Sequence, residues 1–82
     1  MYKKIFAGVL KEARLAKNIS QEKLGELSNL DPVTIYRYEN GIQEPTLKNL
    51  FFLCKGLEME VSEFVNKLVS NGYPGPIVKG LG

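Results

Sequence analysis

Residues Ser20 to Gly41, SQEKLGELSNLDPVTIYRYENG, decide the fold. Ser20 is a good N-cap for a short helix, and Glu22 falls in the first turn, where the helix dipole favours a carboxylate. Leu24 and Leu27 are expected to face inward, and Gly25 between them lets another helix approach closely. Asn29 suits a left-handed turn position better than most residues, and Leu30 plugs the turn. Asp31-Pro32 then restarts the chain as helix: a capping carboxylate followed by proline at the first helical position, where its missing N–H costs nothing. This second helix is expected to run to about Asn40 and to stop at Gly41. At about 100° per residue, Ile35 and Tyr38 point to the core, while Val33, Tyr36, Arg37 and Asn40 cluster on the opposite side. Two helices joined by so short a turn cannot splay apart, so the second is held as a rigid probe.

The flanking sequence supplies the scaffold. Ile5, Phe6, Val9, Leu10 and Ala13 recur at helical spacing and mark a first helix from about residue 3 to 17, closed by Asn18 and followed by Ile19 as a plug. After the loop Ile42-Gln43-Glu44-Pro45, Thr46 caps a fourth helix with Leu47, Leu50, Phe51, Cys54 and Leu57 expected inward. A fifth is predicted from about Val61 to Asn71, with Val61, Phe64, Val65 and Leu68 as its apolar stripe. Residues 1–70 read as one all-α domain of five helices. Residues 71–82 read as a Pro/Gly-containing tail whose Tyr73, Ile77, Val78 and Leu81 suit docking onto that domain.

At 82 residues and 44% hydrophobic, the chain is long enough for one modest core. No apolar run approaches the roughly 18 residues needed to cross a bilayer, so a cytoplasmic protein with no membrane contact is expected. The single Cys54 permits no intramolecular disulfide and reads as a small buried core residue. There is no histidine, no glycine-rich phosphate loop and no convergent set of carboxylates, which argues against an enzyme and against any metal or cofactor.

Net charge is only +2, but its distribution is uneven. Residues 1–19 carry Lys3, Lys4, Lys11, Arg14 and Lys17 against Glu12, a net +4. Residues 20–45 carry Lys23 and Arg37 against Glu22, Glu26, Asp31, Glu39 and Glu44, a net −3. The basic charge lies on the first helix, and the probe unit is acidic. Charge alone does not separate this from an ordinary solvated surface.

An ordered set of elements carries a family resemblance: Leu10-Lys11-Glu12, Arg14, Ser20-Gln21-Glu22-Lys23-Leu24, Thr34-Ile35-Tyr36-Arg37-Tyr38-Glu39, Asn40-Gly41, Pro45-Thr46-Leu47 and Val61-Ser62-Glu63-Phe64. The chain resembles the phage-repressor and Cro type of helix-turn-helix domain, the XRE family, over about residues 10 to 66. The resemblance implies a five-helix, lambda-repressor-like fold that binds double-stranded operator DNA as a homodimer, here as a small transcriptional regulator and expectedly a repressor. It also implies site residues. Pro32, Val33, Tyr36 and Arg37 fall at or beside positions that reach base edges, whereas Gln21, Thr34 and Asn40 fall at phosphate contacts. Arg14 and Glu39 match a structural ion pair, and the region of the fourth and fifth helices commonly supplies the dimer contact, for which Phe52 is a candidate.

Elementary chemistry ranks these residues. The Arg37 fork can grip O6 and N7 of guanine, worth roughly 1–3 kcal/mol of discrimination, whereas Val33 offers only an apolar face to a thymine methyl. Tyr36 suits a methyl, a base edge or a phosphate. Each has a plainer reading: Arg37 as a solvated helix arginine, Lys3, Lys4 and Lys11 as solvated charge, Phe52 as packing under the tail against Tyr73 or Ile77. Three departures from the family pattern stand out. Pro32 occupies a position where relatives often place a polar reader. The loop Ile42-Gln43-Glu44 lacks cations, and Glu44 repels DNA if it points that way. Glu58 replaces the glycine that commonly ends the fourth helix. A competing assignment, from a different class, is a protein-interaction module of the same fold, such as an antitoxin or a partner of an antagonist.

Overall fold

In the computed structural model, which describes residues 2–76, helix starts that the sequence marks with a short polar side chain are capped. The order is α1 (Tyr2–Ala16), α2 (Gln21–Ser28), α3 (Pro32–Glu39), α4 (Leu47–Leu57) and α5 (Val61–Ser70), with no strand among the described residues. Ser20 Oγ accepts from the Lys23 N–H at 2.9 Å, Asp31 Oδ1 from the Val33 N–H at 2.9 Å and Thr46 Oγ1 from the Asn49 N–H at 3.1 Å. Each satisfies one of the donors that the first turn of a helix leaves free.

Left-handed residues make the exits. Asn18, Asn29 and Glu58 have φ of 57°, 56° and 56°. Asparagine tolerates that conformation, whereas a glutamate there is strained, so Glu58 ends α4 at a position where glycine would relax. Its side chain pairs with Lys17, and that hydrogen bond holds the Glu58 carboxyl below its ordinary range.

The core joins all five helices through Phe6, Leu10, Leu24, Ile35, Tyr38, Leu53, Leu57 and Phe64, with Ile19 and Leu30 packed partly against it. Phe6 is its aromatic hub, edge-on to Tyr38 at 6.2 Å between ring centres and tilted against Phe64 at 5.5 Å. Ile77, Val78 and Leu81 of the predicted docking tail lie outside the described residues.

Four residues expected inside are outside. Leu27, Leu47, Phe51 and Val65 are exposed, and Ser28 and Leu53 take inward places instead. For Leu47 and Phe51 the cause is the approach of α2 to α4. A Cβ on Gly56 would run into Ser28 Oγ and come within 3.1 Å of the Ser28 nitrogen, so these two helices touch backbone to backbone. That contact draws the Gly56 flank of α4 onto α2 and turns the opposite flank, with Leu47 and Phe51, to the surface. The α4 sequence LKNLFFLCKGL is apolar over more than half of its circumference, with Lys48, Asn49 and Lys55 on the rest, so periodicity cannot choose which part of that arc is buried.

Gly56→Ala should cost about 1–3 kcal/mol in urea unfolding, the usual penalty for overpacking. Ser28→Ala should be neutral or stabilising, since the buried Ser28 hydroxyl has no partner among the described residues. Glu58→Gly should raise the melting temperature, because the relief of left-handed strain outweighs an exposed ion pair.

Candidate nucleic-acid interface

The turn that mounts α3 spans three residues, Asn29 to Asp31. The Leu30 N–H donates to the Gly25 carbonyl at 2.8 Å, and a Cβ on Gly25 would lie 2.7 Å from the Leu30 carbonyl oxygen. Gly25 therefore admits the turn backbone itself. From this mount α3 buries Ile35 and Tyr38 completely and presents its other side to solvent. Asn49 Nδ2 of α4 donates to the Tyr38 hydroxyl at 3.0 Å, which satisfies the buried phenol and links the two helices.

A second restraint grips the far end of α3. Arg14 donates to both carboxylate oxygens of Glu39, from Nε at 2.6 Å and from Nη2 at 2.9 Å. Its Nη1 donates to the Ile19 carbonyl at 2.9 Å, and the Glu39 side chain is only 2% exposed. The hydrogen bond to Glu39 raises the Arg14 pKa further above its already high ordinary value. Gln21 Nε2 also donates to Glu39 Oε1, at 3.1 Å. One amide N–H of Gln21 is thus spent on the brace, and the other is free for an acceptor such as a phosphate oxygen.

The outer face of α3 holds Pro32, Val33, Tyr36 and Arg37, all exposed, with Thr34 half-buried at its edge. Val33 and Tyr36 are 52% and 51% exposed, a large apolar investment on a wet surface. Asn40 Nδ2 folds back onto the Tyr36 carbonyl at 2.8 Å and caps the helix C-terminus. Arg37 is the one cation of α3. The loop that follows α3 has no cation of its own, and the stem of Lys4 from α1 packs beside it, its Cγ 3.5 Å from where a Gly41 Cβ would stand. Only the fold brings these distant residues together.

On a different side lies a second feature. Leu47 and Phe51 of α4 and Val65 and Val69 of α5 are exposed, Leu47 and Val69 most of all at 72% and 62%. Leu47, Leu50, Val65, Leu68 and Val69 line one groove of about 300 Å³ between the two helices. Phe52 stands apart, half-buried, with the Lys48 ammonium 6.0 Å from its ring centre. Tyr73 meets Tyr2 and Glu44. Sequence reasoning singled out Phe52 and passed over this face because it placed Leu47, Phe51 and Val65 in the core.

A helix-turn-helix family model (HTH_3) matches residues 10–64. The chain belongs to the phage-repressor and Cro type of helix-turn-helix proteins. With that family it is a DNA-binding regulator of transcription. Solved structures agree over most of its length. A tyrosine-to-phenylalanine variant of the restriction-modification controller protein C.Esp1396I has a TM-score of 0.83 at 30% identity, covering 93% of this chain and 96% of that one. The same controller protein as a tetramer in complex with its natural 35 base-pair operator gives 0.81 at 32% identity, covering 87% and 93%. C.AhdI from Aeromonas hydrophila gives 0.73 at 35% identity, covering 76% and 94%. No curated protein matches the sequence. No helix among the described residues is long and apolar enough to cross a membrane.

For this helix-turn-helix the ion pair at the end of α3 has a measurable consequence. Glu39→Ala strands a buried arginine and should cost about 3–5 kcal/mol of stability. Arg14→Met combined with Glu39→Leu should recover most of that loss. Denaturant midpoints of the three proteins check both statements.

Proposed function

We propose that this chain is a homodimeric, controller-type regulator that lays Pro32–Glu39 in the major groove of double-stranded DNA. The observation that carries the reading is α3 itself: a short helix pinned at both ends, with Val33, Tyr36 and Arg37 on its free face. Rigid mounting matters because base readout needs donors placed to within a fraction of an ångström, which a mobile loop does not supply. Arg37 reads guanine, Val33 and Pro32 meet thymine methyls or sugar, and Tyr36 packs beside them. Gln21, Thr34 and Asn40 hold phosphates and set the register. Arg14 and Glu39 stay within the scaffold. Residues 1–70 form the DNA-binding domain, with 71–82 as its tail.

One recognition helix covers too little surface for tight, selective binding, so a second copy is needed. The exposed apolar face of Leu47, Phe51, Val65 and Val69 is the surface proposed for it, with Phe52 as the alternative contact. The similarity to a controller protein solved as a tetramer on its operator supports an assembly of more than one copy. Two reading helices then meet half-sites about 34–36 Å apart, and a dimer seated over a promoter represses by excluding polymerase. The likeness to controller proteins points to restriction-modification genes as targets. An interaction module of the same fold would give the groove to a foreign protein and show no steep salt dependence on DNA.

Selection of bound duplexes from a random library tests the reading. An inverted repeat with guanines facing Arg37 is expected, with affinity falling steeply as salt rises; no enrichment at low salt contradicts it. Arg37→Ala should cost about 1–3 kcal/mol on the selected site and relax the preference at those guanines. Phe51→Glu with Val69→Glu should give a monomer in sedimentation and lower binding to the intact repeat at least tenfold, while leaving the helical content unchanged.

A further inference from the structure

Glu44 poses a problem for a DNA binder. It lies in the loop between α3 and α4, four residues after Asn40 and two before the Thr46 cap, with only Gln43 and Pro45 beside it. A carboxylate free to swing about on this loop stands at the exit of the reading helix, where a polyanion must approach. Like charges at such a place weaken association, most of all at low salt.

The carboxylate is not free. The Tyr73 hydroxyl donates to Glu44 Oε2 at 2.6 Å, a bond that spans 29 residues of sequence. Tyr73 is itself fixed just past α5: its N–H donates to the Leu68 carbonyl at 2.9 Å, and its ring packs against the core and edge-on to Tyr2, 6.4 Å between centres. Glu44 and Tyr73 both line one end of the α4–α5 groove that Leu47, Leu50, Val65 and Val69 also line. The bond therefore draws the negative charge towards α1 and α5. The hydrogen bond to Glu44, with burial, pushes the phenol up to about 12, so the donor keeps its proton across the working range.

We propose that Tyr73 is a positioning residue for DNA binding, whose hydroxyl holds the Glu44 carboxylate off the phosphate-facing side of the α3–α4 loop. The inference rests on the DNA-binding reading above. Tyr73 touches no DNA in this scheme; it acts through Glu44, and a residue of the C-terminal segment thereby tunes a site more than thirty residues earlier.

Tyr73→Phe keeps the ring and its packing and removes only the donor. The full chain and its Tyr73→Phe, Glu44→Gln and doubly substituted forms are titrated by fluorescence anisotropy onto the duplex that library selection yields for the wild type, at low and high salt. Dimer dissociation is followed by sedimentation. Tyr73→Phe should bind roughly 3- to 10-fold more weakly at low salt, with the deficit shrinking as salt screens the charge. Glu44→Gln alone should bind like the wild type, and the double substitution should regain wild-type affinity, because a neutral amide no longer needs to be parked. Dimerisation should be the same in all four, because Tyr73→Phe keeps the ring and Glu44→Gln keeps the shape of the groove wall that the two residues share. Wild-type affinity in Tyr73→Phe, a deficit that persists in the double form, or an equal loosening of the dimer overturns the proposal while leaving the DNA reading intact. A wild type that binds no duplex at low salt overturns both.

Discussion

The placement of the outer face of α3 depends on how α3 is held, and the buried Arg14–Glu39 pair holds its C-terminal end. Glu39 ends α3, where the helix dipole disfavours a carboxylate; the two hydrogen bonds from Arg14 offset that cost and tie α3 to α1. Gln21 adds α2 to the same carboxylate, so three helices meet at one side chain. Buried ion pairs of this kind give little net stability compared with a well-packed apolar pair. The contribution here is geometric. A guanidinium and a carboxylate in bidentate contact fix both distance and rotation, which an interchangeable apolar contact does not. At its other end α3 is fixed by Gly25, whose missing side chain lets the Leu30 carbonyl in.

The second constraint is the backbone contact of α2 with α4 at Ser28 and Gly56. It rotates α4 so that Leu50, Leu53, Cys54 and Leu57 enter the core while Leu47 and Phe51 leave it. The apolar surface so exposed lies between α4 and α5, apart from the outer face of α3. The proposed reading face on α3 and the proposed association face on α4 and α5 share no residue, so both can be occupied together. The Asn49–Tyr38 hydrogen bond runs between the helices that carry them, so the angle of the probe is referred to the same helix that offers Leu47 and Phe51.

The sequence makes local features legible where one residue type has one physical use. Ser20, Asp31-Pro32 and Thr46 announce helix starts, and Asn29 and Gly41 announce exits, because capping and left-handed turns have few solutions. Ile35 and Tyr38 are readable as core since α3 is polar on its other side apart from Val33 and Tyr36. Rotation is not readable where the apolar arc of a helix is wider than the face it buries. Leu47 and Phe51 look like core by spacing, and only the long-range contact of Gly56 with Ser28 turns α4 away from that reading. Pairings far apart in sequence are equally hidden: nothing near Glu44 announces Tyr73, and nothing near Gly41 announces Lys4. The family resemblance recovers Arg14 and Glu39 as partners, which the spacing of 25 residues would not do alone.

The central claim is that the outer face of α3 meets DNA while the α4–α5 face meets a second copy. Amide mapping by NMR tests it most directly, with labelled full-length protein titrated by the selected duplex against a scrambled one of equal length. The account predicts sequence-dependent shifts that cluster at Val33, Tyr36, Arg37 and Gln21, with Leu47, Phe51, Val65 and Val69 already protected in the free dimer and unmoved by DNA. Shifts confined to the α4–α5 face, or identical responses to both duplexes, would contradict it.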